Sequence, residues 1–399
     1  MRNALLGALI LALFSACSAG QESAEPTPVT TSVHIFEAEK GGYAHYRVPA
    51  IVVSPAGTVM VVTEARAKER GDWGLQDILM VRSKDGGRTW DEPRQNLDLG
   101  GAPEQNEAAL AQGLAEPGVT TYNNIVPIVD AEENVVHFLF CSAYKRAYYM
   151  RSDDDGETFS QPVDITDTFE RFRDEYDWKV IATGPGHGIR HSNGRLVVPV
   201  WLSDGTAGHA HRPSIVSTIY SDDGGATWER GDVVVRHPDL KNPSETLAVE
   251  LADGSVMLNI RHESPNHRRA VTVSLDGATG WSALRFDEAL FEPVCMASLL
   301  RVGDTLVFAN PDSKEPRDPQ NPDGNWKRHN MTVRLSEDDG TTWPYEQVIE
   351  PGVSGYSDLA ASPDGTIYLV YEDGTPTDRG THVKYLTVAS FDAEWIRRQ

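Results

Sequence analysis

The sequence predicts an all-β protein built from repeated units of short antiparallel strands. An eight-residue pattern, Ser-x-Asp-x-Gly-x-Thr-Trp/Phe, occurs four times, and a fifth, degenerate copy keeps only its two ends. The copies begin at Ser83, Ser152, Ser221, Ser274 and Ser336, so they lie 53 to 69 residues apart. Alternating apolar runs precede the copies, whereas helical periodicity is nearly absent. A repeat of this length, with about four short strands per unit, is typical of a β-propeller.

The octamers themselves are interpreted as structural turns, which we call Asp boxes. Gly adopts positive φ easily and Asp accepts hydrogen bonds from nearby backbone amides, so the pattern favours a hairpin turn. The closing Trp or Phe is expected to anchor each turn against its own sheet. Residues 33–392 divide into about six units of about 60 residues. The predicted fold class is therefore an all-β, six-bladed β-propeller with Asp-box turns, and this fold alone specifies no chemistry.

The composition excludes several function classes. The chain has 399 residues, with 36 Lys and Arg against 59 Asp and Glu, which gives a formal net charge of −23. A nucleic-acid-binding protein needs a basic surface, so no nucleic-acid partner is expected. Apolar residues at 40% and charged residues at 24% exclude both a disordered chain and a membrane-embedded bundle.

The first 17 residues are interpreted as an export signal of the lipoprotein type. The apolar run Ala4 to Phe14 is too short to span a bilayer of about 30 Å. Cys17 follows it at a position typical of lipidation, and plain secretion is the alternative. Residues 18–32 are small, polar and proline-containing, as expected of a flexible tether. We therefore expect an exported protein, either lipid-anchored in the cell envelope or periplasm through Cys17 or secreted, whose propeller spans residues 33–399.

The two cysteines that follow the export signal give no indication of a metal site. Cys141 and Cys295 lie within apolar runs that resemble strands, so both are expected to be buried free thiols. The sequence contains neither a Cys-x-x-Cys nor a His-Glu-x-x-His pattern, and the Asp boxes lack the ligand density of a dedicated cation loop. We predict no metal and no organic cofactor.

Charged residues at strand ends are the candidates for a functional site. Arg47, Arg261 and Arg328 belong to three different units, and each lies at the end of an apolar strand pattern. If they converge on the propeller axis, their mutual repulsion requires an anion, and a carboxylate is the natural bidentate partner of a guanidinium group. Each arginine alone would more simply pair with a nearby acid, but three together favour an anion-binding pocket.

The chain resembles the exo-α-sialidases (neuraminidases), a glycosidase family of bacteria and mammals. Tyr-Arg-Val-Pro around Arg47 matches the family's aromatic-Arg-aliphatic-Pro signature, and Asp boxes follow it. The resemblance runs from about His34 to Trp395. It implies three arginines that bind the carboxylate of sialic acid: Arg47, Arg261 and Arg328.

The same resemblance implies roles for four more residues. Tyr356 would be the nucleophile, Glu245 the base that takes its proton, and Asp72 the general acid and base. Arg66 would contact the sugar near its 4-hydroxyl. A phenol suits this reaction because the anomeric carbon of sialic acid carries a carboxylate, which would repel an anionic nucleophile. Hydrolysis with retention is the expected outcome.

Other parts of the pocket are less clearly indicated. The family usually has a further Asp beside the sugar, which we cannot assign within residues 108–124. Trp201, His209 and His211 would line an acyl or glycerol pocket, although positions on the rim are the simpler expectation. The Pro- and Asp-rich segment 310–326 is expected to be a surface loop that borders the site.

Two alternatives to sialic acid hydrolysis remain open. One is a related glycosidase or transglycosylase that acts on another 2-keto acid sugar, such as deaminated sialic acid. The other is a non-catalytic propeller that binds acidic glycans, for which Asp72, Glu245 and Tyr356 would have no purpose. In the favoured interpretation the partners are sialylated glycans, glycoproteins or glycolipids, and the protein is a monomer.

Overall fold

The structure is a computed structural model that describes residues 31–68, 71–95, 99, 104–206, 208–321, 326–374 and 383–398. The predicted export signal, Cys17 and most of the predicted tether lie outside these residues. The described ranges contain 25 strands and three five-residue helices: α1 (Glu107–Ala111), α2 (Thr166–Glu170) and α3 (Ala393–Arg397). Among them, no helix is long and apolar enough to cross a membrane.

The strands follow one another along the chain in short antiparallel sets. The first nine are β1 (Thr31–Glu37), β2 (His45–Val53), β3 (Val59–Arg66), β4 (Gln76–Ser83), β5 (Arg94–Gln95), β6 (Tyr122–Asp130), β7 (Val135–Ser142), β8 (Arg146–Ser152) and β9 (Val163–Asp164). The next six are β10 (Val180–Thr183), β11 (Ile189–Arg190), β12 (Leu196–Ser203), β13 (Ser214–Ser221), β14 (Glu229–Arg230) and β15 (Val235–Arg236). The last ten are β16 (Thr246–Glu250), β17 (Val256–Ile260), β18 (Arg268–Ser274), β19 (Arg285–Phe291), β20 (Ser298–Val302), β21 (Thr305–Pro311), β22 (His329–Ser336), β23 (Tyr345–Ala361), β24 (Ile367–Asp373) and β25 (Tyr385–Phe391).

The described strands form five connected sheets, not the six separate ones predicted from the sequence. Three sheets have four strands each (β2–β5, β6–β9 and β16–β19), one has six (β10–β15) and one has seven (β1 with β20–β25). The difference arises from β23, whose 17 residues pair first with β22 and then with β24. Two sets of strands are thereby joined through one strand. The coarser expectation, an all-β fold with a propeller-like arrangement, is confirmed.

The first strand closes the last sheet. β1 pairs with β25, so the beginning and the end of the described chain lie side by side. This strand begins at Thr31, two residues before the predicted start of the propeller. Between sheets the core is apolar; one cluster, for example, joins Val126 and Leu139 to Val198 and Ile219. Cys141 and Cys295 are buried and free, as expected.

The Asp boxes form the turns that the sequence predicts. In the copy that starts at Ser221, the Ser221 hydroxyl accepts a hydrogen bond from the Gly225 amide at 2.8 Å. The Asp223 carboxylate accepts from the amide and the hydroxyl of Thr227 at 2.8 and 2.6 Å. The other three complete boxes repeat these bonds. Hydrogen bonds from Thr227 lower the pKa of Asp223. The interpretation of the boxes as structural turns is therefore confirmed.

Replacing the central carboxylate of one box is expected to destabilise the protein without changing its active site. Asp223→Ala removes three hydrogen bonds within the turn, from the Ser221 hydroxyl and from the amide and hydroxyl of Thr227, so we expect the melting temperature to fall by a few degrees. Differential scanning calorimetry measures this shift. Because no described Asp-box residue lines the cavity presented below, the KM of the variant for its substrate should match that of the wild type. A large change in KM at unchanged stability would contradict the structural role.

A buried histidine makes the stability depend on pH. The His137 side chain is 1% exposed, and its Nδ1 lies 2.8 Å from the hydroxyl of Tyr149. Burial lowers the pKa of His137 to about 4. In the unfolded chain its pKa is about 6.5, so between these two values only the unfolded state takes up a proton. The free energy of unfolding contributed by this group is therefore present above pH 6.5 and is lost as pH falls towards 4.

His137→Gln tests this coupling by removing the titrating ring. Urea unfolding at pH 7 and pH 4.5 should show that the wild type loses more stability over this interval than the variant does. The difference attributable to one histidine is at most about 3 kcal/mol. Equal losses in the two proteins would exclude His137 as the source of the dependence, whatever the effect of the substitution on stability at pH 7.

Candidate active site

All seven candidate residues line one cavity of about 270 Å³. Its walls come from residues in or next to strands of all five sheets. The predicted site residues that line it are Arg47, Arg66, Asp72, Glu245, Arg261, Arg328 and Tyr356. Six arginines but only three carboxylates line the cavity within the described chain, whereas the whole protein carries a net charge of −23. The cavity is therefore richer in positive charge than the protein as a whole.

Irregular strands supply the cavity with side chains. The pairing register shifts in β2, β6 and β23 at the points where these strands reach the cavity. Val48 and Asn124 have φ values of 54° and 55°, in the left-handed region that non-glycine residues rarely adopt. A bulge bends its strand and re-aims the neighbouring side chains. Arg47 borders the register shift in β2, and Tyr356 lies within the register shift in β23, so both side chains reach the cavity where the strand pairing is irregular.

The three predicted carboxylate-binding arginines surround the ring of Tyr356. The Cζ atoms of Arg47, Arg261 and Arg328 lie 5.2, 5.8 and 5.2 Å from the centroid of that ring. The three side chains come from separate parts of the chain: β2, the end of β17 and the start of β22. A planar carboxylate is the ligand that several convergent guanidinium groups bind best.

Tyr356 forms a short hydrogen-bonded chain with Glu245 and Arg261. Its hydroxyl donates to Glu245 Oε1 at 2.5 Å, and Arg261 Nη1 donates to the same hydroxyl at 2.6 Å and to the other oxygen of Glu245. Burial raises the pKa of Tyr356 above its usual value, although the arginines oppose this shift. The phenol therefore keeps its proton in this structure, and Glu245 lies where it can accept it.

Arg47 is held in place by a buried acid, Glu372, that sequence reasoning missed. Arg47 donates through Nε and Nη2 to the two carboxylate oxygens of Glu372 at 3.0 and 3.1 Å. Glu372 also accepts from the backbone amides of Val48 and Tyr356 at 3.1 and 3.0 Å. Burial opposes its ionisation, but Arg47 and these donors hold the pKa of Glu372 below its usual range. A Cβ atom at Gly355 would lie 2.2 Å from this carboxylate, so the contact requires glycine there.

Arg66 connects Asp72 to a second buried acid, Glu64. Its Nη1 donates to Asp72 Oδ1 at 2.8 Å, and its Nε donates to Glu64 Oε2 at 3.0 Å. Glu64 also accepts from the Asn124 amide at 2.9 Å. Burial would raise the pKa of Asp72, but Arg66 outweighs it and holds this pKa well below its usual range. Asp72 is therefore a carboxylate in this structure. Its side chain is 41% exposed, which also favours the charged form.

Arg328 retains more free donors than the other two arginines. Its Nη2 donates to the carbonyl oxygen of Val294 at 2.8 Å, and no carboxylate of the described chain pairs with it. The buried Nε of Arg261 likewise lacks a hydrogen-bond partner within the described residues. Arg328 and Arg261 therefore have unused N–H groups at the cavity, as an anion-binding site requires.

Aromatic side chains and the amide of Asn124 form another wall of the cavity. The aromatic residues are among the candidates that the sequence indicates, whereas Asn124 is not. Trp201, His209 and His211 line the cavity, and their assignment to its rim or to an acyl or glycerol pocket stays a prediction. Trp201 Nε1 and His211 Nε2 are buried and have no hydrogen-bond partner among the described residues. Burial lowers the pKa of His211 to about 4, so the ring is neutral at pH 7. Within the segment 108–124, the residue that lines the cavity is Asn124, not an aspartate.

The described residues contain no cluster of three or more His, Cys, Asp or Glu side chains that could hold a metal ion. The need for neither a metal nor a cofactor stays a prediction. The roles assigned to the seven site residues also stay predictions, although the structure brings all seven to one cavity.

A family model and two curated relatives show which class of proteins the chain is similar to. Residues 111–369 match the family described as BNR repeat-like domain, which covers well over half of the chain. Among curated proteins, the sialidase of Micromonospora viridifaciens is 30% identical over 92% of this chain and 55% of its own length. The sialidase of Bacteroides fragilis is 30% identical over 82% of this chain and 60% of its own length. The chain thus spans little more than half of these two relatives.

Solved structures agree at the level of the fold. A Hadza microbial sialidase superposes with a TM-score of 0.73 and 24% identity, covering 92% of this chain and 69% of that one. An intramolecular trans-sialidase from Ruminococcus gnavus gives a TM-score of 0.72 and 17% identity over 92% and 98% of the two chains. At such identities the likeness concerns the fold alone. The family match shows that the chain belongs to the BNR repeat-like family, and the curated relatives that it matches at 30% identity are sialidases.

Proposed function

We propose that the protein hydrolyses terminal, α-ketosidically linked sialic acid from glycoconjugates with retention of configuration. The observation that carries this proposal is the arrangement of three guanidinium groups, from separate strands, around a buried phenol that donates to Glu245. The arginines suit a sugar acid, and the phenol suits attack on a carbon that bears a carboxylate. Two other cavities of the described chain, one beside α2 and one lined by His187, do not combine these two features.

The first chemical step forms a bond between the phenol oxygen and the anomeric carbon. Glu245 accepts the proton of Tyr356 as its oxygen attacks, and the bond from the anomeric carbon to the glycosidic oxygen breaks. Asp72 gives a proton to that oxygen, so the aglycone leaves as an alcohol. Arg261 contacts both the phenol and Glu245, and its charge stabilises the negative charge that moves between them.

The second step reverses the first with water in place of the aglycone. Asp72, now a carboxylate, accepts a proton from water, whose oxygen attacks the anomeric carbon. The bond to the phenol breaks, and Tyr356 regains its proton from Glu245. Each step inverts the anomeric carbon, so the product keeps the configuration of the substrate.

The contact between Arg66 and Asp72 has to change during this cycle. It favours the carboxylate of Asp72, which suits activation of water, whereas the first step needs the protonated acid. We propose that the sugar draws Arg66 away from Asp72, as the implied contact of Arg66 near the 4-hydroxyl would allow. The pKa of Asp72 would then rise, because burial would no longer be opposed by a direct ion pair.

Release of free sugar from a sialoside, followed by NMR, tests the proposed function. The α-anomer should appear first and then convert to the equilibrium mixture. First appearance of the β-anomer would contradict retention, and an absence of release from α2,3-, α2,6- and deaminated sialosides would contradict the function. Transfer of the sugar to another hydroxyl, the alternative outcome of the same intermediate, would give a glycoside or an anhydro sugar in place of the free acid.

We also propose the biological setting that the sequence indicates. The substrates would be sialylated glycans, glycoproteins or glycolipids met outside the cytoplasm, by a monomer exported through its first 17 residues. Membrane association would depend on a lipid at Cys17. If this anchor exists, Cys17→Ala should abolish the incorporation of labelled palmitate into the protein, and globomycin treatment of expressing bacteria should leave an uncleaved precursor in the membrane fraction.

A further inference from the structure

The arginines of the cavity divide into those that have a carboxylate partner and those that do not. Six line it: Arg47, Arg66, Arg212, Arg261, Arg317 and Arg328. Four form ion pairs: Arg47 with Glu372, Arg66 with Glu64 and Asp72, Arg212 with Glu263, and Arg261 with Glu245. In the part of the chain that the structure describes, Arg317 and Arg328 pair with no carboxylate. Arg328 belongs to the group around Tyr356, whereas Arg317 has no role in the proposed reaction.

Arg317 lies at the mouth of the cavity on the segment between β21 and β22. Its side chain is exposed and lines the cavity. Next to it, Pro316 forms a β-bridge with Trp326, another lining residue, and the Lys327 amide donates to the carbonyl oxygen of Glu315 at 2.8 Å. These contacts fasten the two ends of the segment together. The position of Arg317 at the cavity is therefore fixed by backbone pairing.

The charge of Arg317 is in excess of what one sugar acid needs. Partial desolvation at the cavity wall lowers the pKa of Arg317, and repulsion by the positive charge of Arg328 lowers it further. In the proposed function, one carboxylate bound beside Tyr356 would engage Arg47, Arg261 and Arg328. An exposed cation at the mouth would then face whatever part of the substrate leaves the cavity. That part is the aglycone, because Asp72, which would protonate the glycosidic oxygen, is itself partly exposed.

We propose that Arg317 binds a second anionic group, carried by the leaving part of the substrate. The preferred substrates would be glycans in which the sugar next to the terminal sialic acid is itself acidic, through a carboxylate or a sulfate. Two linked sialic acid residues are the simplest example of the first kind. This inference rests on the proposed function and names the substrate class of the same site.

The test compares acidic and neutral aglycones in the wild type and in Arg317→Gln. The substrates are α2,3-sialyllactose, a disialyl glycan with an α2,8 linkage, and a sialyllactose sulfated on the galactose. We expect the ratio of kcat/KM for an acidic substrate to kcat/KM for neutral sialyllactose to fall about tenfold in the variant. A fall for the disialyl glycan alone assigns Arg317 to a carboxylate, and a fall for the sulfated glycan alone assigns it to a sulfate.

Lys314→Gln provides a matched control on the same segment. Lys314 is exposed, pairs with Asp312 at 3.1 Å and does not line the cavity, so its removal should leave the ratio unchanged. Thermal unfolding checks that both variants fold like the wild type.

Two results would overturn the inference while leaving the proposed function intact. Equal losses of kcat/KM on all three substrates would mean that Arg317 serves the terminal sugar, and wild-type kcat/KM on all three would mean that it binds neither anion. If the wild type hydrolyses none of the three substrates, the proposed function itself fails, and the inference fails with it.

Discussion

Tyr356→Phe should remove nearly all hydrolysis of a fluorogenic sialoside while leaving the sugar able to bind. The substitution deletes only the oxygen that would attack the anomeric carbon, so we expect kcat to fall by about 10³-fold or more. The three arginines around the ring remain, and the inhibition constant for free sialic acid should change by less than about tenfold. Steady-state kinetics and competitive inhibition measure the two effects separately.

Tyr149→Phe serves as the control for this substitution. Tyr149 is also buried, and its hydroxyl lies 2.8 Å from His137, but it does not line the cavity. Its loss should affect stability more than turnover. Undiminished hydrolysis by Tyr356→Phe would reject the phenol as nucleophile, and loss of sugar binding together with turnover would point to a structural role for its hydroxyl.

Arg328→Lys should lower kcat/KM about 100-fold. Lys keeps the positive charge but cannot offer two parallel N–H donors to a carboxylate, so the expected loss reflects geometry more than charge. Arg328 is the most informative of the three arginines because its one described hydrogen bond goes to the Val294 carbonyl. Its replacement leaves no buried acid unpaired, whereas Arg47→Lys would disturb the bidentate contact with Glu372.

Arg195→Lys is the corresponding control outside the cavity. Arg195 also makes a bidentate contact, with Asp222 at 2.7 and 2.9 Å, but it lies away from the site. The control should retain wild-type kcat/KM. If Arg328→Lys also retains it, and Arg47→Lys and Arg261→Lys do the same, no carboxylate site exists at Tyr356.

The sequence was sufficient to predict the fold class and to find the residues that meet at the cavity. The turn of each Asp box is held by hydrogen bonds of Ser, Asp and Thr within one octamer. The octamer sequence alone is therefore enough to predict the turn. Arg47, Arg261 and Arg328 could be recognised because each interrupts the polarity pattern at the end of an apolar strand. Their convergence followed from the repeat, which places equivalent strand ends near one axis.

What the sequence did not reveal depends on contacts between distant strands. Glu372 meets Arg47 across 325 positions of sequence, through bulges whose register no local pattern indicates. The predicted number of separate sheets is wrong because of β23. A strand of 17 residues, with register shifts in its pairing with both neighbours, resembles two shorter strands in the sequence repeat.

The contrast between the acidic protein and its cationic cavity affects how substrates arrive. At low ionic strength, where the Debye length is about 30 Å at 0.01 M, an acidic glycan that approaches from a distance experiences mainly the repulsion of the 23 excess negative charges. Only near the mouth does the attraction of Arg317 and Arg328 prevail, because no carboxylate of the described chain pairs with these two arginines. Added electrolyte at first screens the far repulsion more than the near attraction. Capture of substrate should therefore be fastest at an intermediate ionic strength, in contrast to sites whose whole surface steers the ligand.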